Sequence, residues 1–516
     1  MENERRKTAP RRSGRLKHLP GPCVSEATDG TELNKKGITI DCLPDVLLLQ
    51  VLASTKSNGL ARRQVLPLVC KKWRALLQGP SLLWEEIVLD FCDKEKSYQR
   101  LLRTAIQTWL KPRASSIKSL TLKNSSIDPT HTFAREGSPL AALFCIVAPS
   151  LTSLQVVNCN DIFNQSALED LKLFTQLTKL HIVDIRHRYP TYSYDSLSSL
   201  TSLQDIRIAM DTDYESVLTT SCLSALPSAL LALTRLTSLS LASQGLTDIP
   251  DGVSALSNLE ILRLDNCKGM KNIPARLSSL KSLRELSLDD TTGFPLVDSI
   301  RNLKLDKLSL RRSGVHQAGC AGFEYCSIKH LDVAHNTFAS NAPAVLDKYR
   351  SLGLEVLNFN SCEMDTVPGQ LYGFHSLKVL NLGNNGLVEL PECVSCLLRL
   401  ECLLLQGNCF PKLPQVIQKL KNLYCLSLVA CNYLEVPGYD TVSFFAKWPR
   451  LTAIWMWKTE GVEYQDYSKD ALHQLLLKLK RKRHRPHLLY EGTDASTDLQ
   501  ATLGPKSLVT VDIMLP

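Results

Sequence analysis

The residues best equipped for chemistry in this 516-residue chain are its 17 cysteines; two of them, Cys393 and Cys396, form a CxxC, with Cys402 and Cys409 close behind. Thiolates at that spacing hold zinc when a second CxxC or paired histidines complete a tetrahedron. Neither follows here, so no metal site is expected. The 11 histidines are scattered, and the chain lacks a GxxxxGK phosphate cradle, an HExxH and a GxSxG. No catalytic residue and no cofactor are expected, and the chain reads as a non-enzyme. What remains is the chemistry of recognition. Arg263 with Asp265, Asp289 with Asp290, Arg311 with Arg312 and Asp332 with His335 recur at a regular interval, and Trp455 and Trp457 follow. Such charges pair across strands or with a ligand, while Trp and Arg concentrate binding energy where a partner excludes water.

The interval comes from the elements that must carry these residues. From about residue 120 to 456 the chain repeats leucine, two residues, leucine, one residue, leucine, two residues, then Asn, Cys, Thr or Ser. It reads LEILRLDNC from Leu259, LRELSLDDT from Leu283, LKVLNLGNN from Leu377 and LECLLLQGN from Leu400. A strand alternates its faces, so Leu262 and Leu264 point into a core and Arg263 and Asp265 point out. Leu239, Leu262, Leu286, Leu308, Leu331, Leu357, Leu380, Leu403 and Leu426 lie about 22 to 26 residues apart, within the leucine-rich-repeat range. The ninth position needs a small polar side chain to satisfy backbone groups where the chain turns off the strand. Asn336, Asn385 and Asn408 fill it, as do Cys159, Cys267, Cys362, Cys431, Thr291 and Ser313. An apolar residue then proline follows at Ile249-Pro250, Ile273-Pro274, Leu390-Pro391, Leu413-Pro414 and Val436-Pro437, opening a helix-like return. Most of the remaining cysteines also read as small buried hydrophobes.

Composition agrees with a long repeat stack. A solenoid has no size ceiling, because each repeat touches only its neighbours. With 44% hydrophobic and 22% charged residues the chain is expected to be folded and soluble, and runs such as VLLLQVLA are too short to span a bilayer. No membrane partner is expected. The basic N-terminus lacks the apolar stretch of a secretory signal, so the thiols are expected to stay reduced, in the cytoplasm or the nucleus. The net charge of +9 gathers at the ends, from Arg5 to Lys17 and from Lys478 to Arg485. KLKRKRHRPH has the composition of a nuclear-import signal; without interleaved aromatics it does not mark nucleic acid as the expected partner.

Upstream of the repeats, Leu43-Pro44 opens a short apolar helix. Val65, Leu66, Val69, Cys70, Trp73, Leu76 and Leu77 then share one helical face before Gly79-Pro80. Leu83-Trp84 closes the segment. Residues 42 to 89 resemble the F-box, which docks on a Skp-type adaptor and through it on a cullin in a ubiquitin ligase. Leu43-Pro44 match its opening Leu-Pro, Val51 its usual isoleucine, Val69-Cys70-x-x-Trp73 its last helix and Leu83-Trp84 its closing pair. The resemblance implies adaptor contacts at Pro44, Val51 and Val69, with Leu43 and Trp73 partly supporting the local core. The mixed Asn and Cys ninth position also resembles the cysteine-containing repeats common in F-box proteins. The expected protein is therefore an α/β leucine-rich-repeat solenoid, a horseshoe with an N-terminal helical F-box and a C-terminal helical cap. Its reading as a ubiquitin-ligase substrate receptor stands beside two others: a protein-binding scaffold whose helices only cap the stack, and a nuclear nucleic-acid-associated protein using both basic ends.

The expected boundaries are a disordered lead over 1–38, the F-box over 39–89, a helical linker over 90–115, repeats over 116–460, a cap helix over 461–485 and a tail over 486–516. IKSLTLKNS from Ile117 reads as the first strand and LTAIWMW from Leu451 as the last. Longer gaps suggest loops around 128–145, 186–195 and 211–228. On the concave face the four charged pairs form one alternating field, followed by a polar stretch of Asn358, Asn360, Asn381 and Asn384, then Leu404 and the two tryptophans. About thirteen strands at ~4.8 Å would give an arc on the order of 60 Å long, suited to a folded protein or a long peptide.

Overall fold

The computed structural model describes residues 84–90, 110–124, 139–159, 165–185, 193–210, 225–242, 245–267, 270, 273–291, 299–300, 302–314, 326–338, 347, 353–431, 453–455 and 487–489. The chain divides into Met1–Thr55 and Lys56–Pro516, and every described residue belongs to the second unit. The adaptor-contact residues Leu43, Pro44, Val51, Val69 and Trp73, the expected cap helix over 461–485 and Trp457 all lie outside the described residues.

Among the described residues sixteen strands form one sheet in strict chain order, each hydrogen-bonded in parallel to the next. They are β1 (Glu86–Asp90), β2 (Ser119–Lys123), β3 (Ser153–Val157), β4 (Lys179–Ile185), β5 (Asp205–Met210), β6 (Ser238–Ala242), β7 (Ile261–Arg263) and β8 (Glu285–Ser287). β9 (Lys304–Ser309), β10 (Ser327–Asp332), β11 (Val356–Asn358), β12 (Val379–Asn381), β13 (Cys402–Leu404), β14 (Cys425–Ser427), β15 (Ala453–Trp455) and β16 (His487–Leu489) complete it. The register is the one the leucine spacing requires: Leu239 lies opposite Leu262, and the pairing passes through Leu286, Leu308, Leu331, Leu357, Leu380 and Leu403 to Leu426. Each of these leucines is buried. Burying a leucine is worth ~1.5–3 kcal/mol, so a one-residue slip, which turns the row outward, is strongly disfavoured.

The sheet is longer at both ends than the repeat pattern predicts. β1 lies N-terminal to the expected first strand and pairs with β2 from Glu86↔Ser119 to Asp90↔Lys123. Its alternation, with Ile87 and Leu89 buried and Val88 exposed, is that of a strand although it carries no repeat motif. β16 continues past β15, opposite Ala453, Ile454 and Trp455.

The returns on the far side of the core change along the chain. Early repeats use α1 (Pro139–Val147), α2 (Gln165–Asp170) and α3 (Ser228–Leu231), with a 3-10 turn at Asp195–Ser199 among them, so part of the expected 128–145 loop is helix. Later repeats use five-residue 3-10 turns: Asp251–Ala255, Ala275–Ser279, Gly369–Gly373, Glu392–Cys396 and Gln415–Lys419. Pro250, Pro274, Pro368, Pro391 and Pro414 stand just before these turns in extended backbone. Their carbonyls accept the first hydrogen bond, as from Val253 N–H at 3.0 Å and Val394 N–H at 3.1 Å. Proline suits this place because no N–H is needed there. Phe338 and Phe359, both fully buried, meet edge to face at 5.4 Å between centroids and fill the core between β10 and β11.

Candidate recognition surface

The ninth-position residues lock each coil to the one before it. Asn336 Nδ2 donates to Leu310 O and Val333 O, both at 2.8 Å. Asn385 Nδ2 donates to Phe359 O at 2.9 Å and Leu382 O at 3.0 Å, and its Oδ1 accepts from Cys362 N–H at 2.9 Å and Met364 N–H at 3.1 Å. Asn408 repeats the pattern with Leu382 O and Leu405 O, both at 2.9 Å, and Leu387 N–H at 3.2 Å. A thiol or hydroxyl does half of this work. Cys362 Sγ donates to Val333 O at 3.3 Å, Cys431 Sγ to Leu405 O at 3.2 Å and Thr291 Oγ1 to Leu264 O at 3.0 Å. Burial pushes the Cys362 thiol up to about 12 and the Cys431 thiol up to about 11, so both stay protonated donors at neutral pH.

The residue before each ninth position takes a left-handed backbone: Asn266 (φ 55°), Asp290 (φ 55°), Arg312 (φ 49°), His335 (φ 58°), Ser361 (φ 54°), Asn384 (φ 51°) and Gly407 (φ 64°) among them. Asp290, Arg312 and His335, expected on the recognition face, are therefore turn residues beyond the strand ends. Arg312 and Asp290 approach each other at 3.7 Å. Burial lowers the pKa of His335, and the neighbouring Arg312 and Arg311 lower it further.

Arg263, Asp265, Asp289 and Asp332 do lie on or just after the strands, yet most of their polar atoms serve the fold. Asp265 Oδ1 accepts from Ser287 Oγ at 2.6 Å and Asp289 N–H at 3.2 Å. One coil on, Asp289 Oδ1 accepts from Ser309 Oγ at 2.7 Å and Arg311 N–H at 2.8 Å. Burial raises the pKa of Asp289 against those bonds, and Asp265 and Asp332 raise it further. Asp332, Asn358 and Asn381, in register on successive strands, each accept from the N–H two residues on, at 3.0, 3.0 and 2.9 Å. The expected polar stretch is thus largely self-satisfied, and Asn384 Nδ2 donates to Asn360 Oδ1 at 2.9 Å. Arg263 is held by Glu285 at 2.8 Å, which also meets Lys307 at 3.4 Å.

A second charged column sits one residue ahead of β7, β8, β11, β12 and β13 and within β9 and β10. Glu260, Arg284, Asp306, Lys329, Glu355, Lys378 and Glu401 alternate in sign on consecutive coils. Lys329 Nζ meets Asp306 at 2.6 Å and Lys378 Nζ meets Glu355 at 2.7 Å. The Lys329 and Lys378 hydrogen bonds hold Asp306 and Glu355 below their ordinary carboxylate values. At the N-terminal end, burial opposes ionisation of Asp205, yet the His181 bond at 3.0 Å, with Ser238 and Lys179, carries its pKa down.

With these groups committed, one register column of the open face becomes continuously apolar at β11. From β6 to β10 it runs Ser238, Ile261, Glu285, Lys307 and His330; from β11 it continues Val356, Val379, Cys402 and Cys425. Leu404, half-buried beside this strip, is in register with Ser427, which pairs in turn with Trp455. Cys393 and Cys396 lie in the 3-10 turn on the other side of the core: Cys393 Sγ donates to Pro368 O at 3.8 Å, and Cys396 is exposed. Among the described residues no group of three or more His, Cys, Asp or Glu is placed to hold a metal, and no helix is long and apolar enough to cross a membrane.

No protein-family model matches the chain, and a search of curated proteins finds no match. Among solved structures it is similar to a leucine-rich-repeat protein of Leptospira interrogans, at 18% identity over 91% of this chain and 98% of that one, with a TM-score of 0.43. It is also similar to an internalin of Listeria monocytogenes, at 16% identity over 68% of this chain and 82% of that one, with a TM-score of 0.38. The chain's own geometry decides the fold. Leucines in direct parallel register, a left-handed residue before each ninth position and a buried polar side chain bonding the previous coil make the described chain a leucine-rich-repeat solenoid.

Proposed function

We propose that this chain is a protein-binding subunit and, more narrowly, a substrate receptor of a Skp/cullin/F-box ubiquitin ligase. The observation that carries the reading is an order along the chain. The Leu43-Pro44, Val69-Cys70-x-x-Trp73 and Leu83-Trp84 pattern ends two residues before β1, so the F-box-like segment and the repeat sheet are consecutive. Trp84 is buried at 2% exposure, with the Arg113 guanidinium 4.3 Å over its ring. An apolar strip from β11 onward offers a protein partner surface that gains by being covered. The adaptor-side helices would hold the assembly to the cullin, and the open face would hold the target. The contribution is positional: a tethered target meets the conjugating enzyme at a raised effective concentration, and other subunits perform the transfer.

The test is co-purification of the full chain with a Skp-type adaptor. Capture that is lost in Leu43→Asp and in Val69→Asp, with the thermal transition of the repeats unchanged, supports the receptor. A wild-type chain that never retains the adaptor removes it and leaves the scaffold reading. That second reading has its own support in Thr55, which stands where the F-box usually has leucine, and in Pro67, which removes a backbone donor within the last helix.

A further inference from the structure

We infer that Cys402 and Cys425 form a two-thiol site for a soft monovalent metal ion of the Cu(I) class. The two residues are direct register partners on β13 and β14. Adjacent strands lie ~4.8 Å apart, and both side chains leave the sheet on the same face, because Leu403 and Leu426, the next residues in each strand, are buried in the core. Both cysteines are free. Cys402 is half-buried, which leaves an approach from solvent, whereas Cys425 is 5% exposed.

These thiols differ from the other buried cysteines of the stack. Cys267, Cys362 and Cys431 occupy ninth positions and donate to carbonyls of the preceding coil. Cys402 and Cys425 are strand residues, flanked in their register column by Val379 and Ala453. The donor set selects the ion. Two sulfurs with no third His, Cys, Asp or Glu among the described residues cannot build a tetrahedral zinc site or a hard oxygen cage. Soft thiolate ligands favour Cu(I), which accepts low coordination. The charge balances: on binding, two Cu–S contacts form and one thiol proton leaves to solvent, so a monocation replaces a proton and the strip stays neutral. No oxidant or reductant is consumed.

The experiment uses the full-length chain, reduced and then freed of small thiols under anaerobic conditions, with Cu(I) presented as its bicinchoninate complex. Cys402→Val and Cys425→Ala copy the residues already found in the same column at Val379 and Ala453, which keeps the strip packed. The wild-type chain is expected to take one equivalent of Cu(I) that each variant loses and that Cys396→Ser, at an exposed thiol, retains. Uptake of the same equivalent by a folded Cys402→Val chain, its loss in Cys396→Ser, or no uptake by the wild type overturns the site. Iodoacetamide footprinting of the wild-type chain is the second readout and decides the matter if a variant fails to fold. Cu(I) should protect the peptides carrying Cys402 and Cys425 together, and equal labelling with and without Cu(I) overturns the proposal.

Discussion

Asn385→Ala is expected to be among the most damaging single polar truncations in the described repeats. The side chain satisfies Phe359 O and Leu382 O as a donor and Cys362 N–H and Met364 N–H as an acceptor. Truncation leaves three buried backbone groups unmet, because Leu382 O keeps its bond from Asn408 Nδ2. At the lower end of ~1 kcal/mol for each such group, the loss is about 3 kcal/mol. Asn385→Cys separates the two halves of the role, because a thiol can still reach the Phe359 carbonyl, as Cys362 reaches Val333 O. It offers little to the two N–H groups, so about 2 kcal/mol should go. Cys362→Ala removes one weak donor and should cost about 1 kcal/mol. Repeats open locally, so hydrogen exchange read by mass spectrometry over residues 353–410, with urea unfolding beside it, is the suitable assay. The expected rank of destabilisation is Asn385→Ala, then Asn385→Cys, then Cys362→Ala. If Asn385→Ala exchanges no faster than Cys362→Ala, the ladder of ninth positions is not what joins the coils.

Further outcomes follow from the same geometry. The raised Asp289 pKa means the folded state holds its proton more tightly than the unfolded chain, so stability falls as pH rises from the ordinary carboxylate value through the folded one. Asp289→Asn keeps an acceptor for Ser309 and Arg311 and should abolish that slope in urea titrations between pH 3 and 6, whereas Asp289→Ala should lose ~1–3 kcal/mol. Lys329→Glu sets three carboxylates in a row with Asp306 and Glu355 and should lower the thermal midpoint, most at low salt; adding Glu355→Lys restores one contact with residue 329 while opposing Lys378, so recovery should be partial. Gly407→Ala puts a side chain on a left-handed backbone against Asn384 Oδ1 and should cost ~1–2 kcal/mol in urea unfolding. Val379→Asp on the apolar strip should abolish capture of a protein target while circular dichroism stays unchanged, and retained capture would place the target elsewhere.

The leucine column and the ninth position were legible because each obeys one local rule that repeats: bury alternate residues, and satisfy the turn. Asp265 and Asp289 were read as recognition charges because their true partners, the Asp289 and Arg311 N–H groups, belong to a neighbouring coil and are invisible to spacing along the chain. Glu285 and Lys307 stand one residue ahead of the buried leucines, outside the positions between leucines that mark the recognition face in the sequence. The alternation from Glu260 to Glu401 was present in the sequence and needed only a reading at the repeat interval. β1 was hidden because Glu86–Asp90 has a strand's alternation without the motif, directly after Leu83-Trp84. The 3-10 turns read as helix-like in the sequence because leucine spacing continues through them.

The alternating column carries a rule of parity for the length of the stack. Excising the single coil that begins at Glu355 would bring Lys329 directly beneath Lys378, cation on cation, and duplicating it would set two glutamates together. Excising Glu355 through Leu400, or doubling a consecutive pair of coils, preserves the plus-minus order. In this stretch the smallest increment by which the protein can grow or shrink without electrostatic conflict is two turns of the stack.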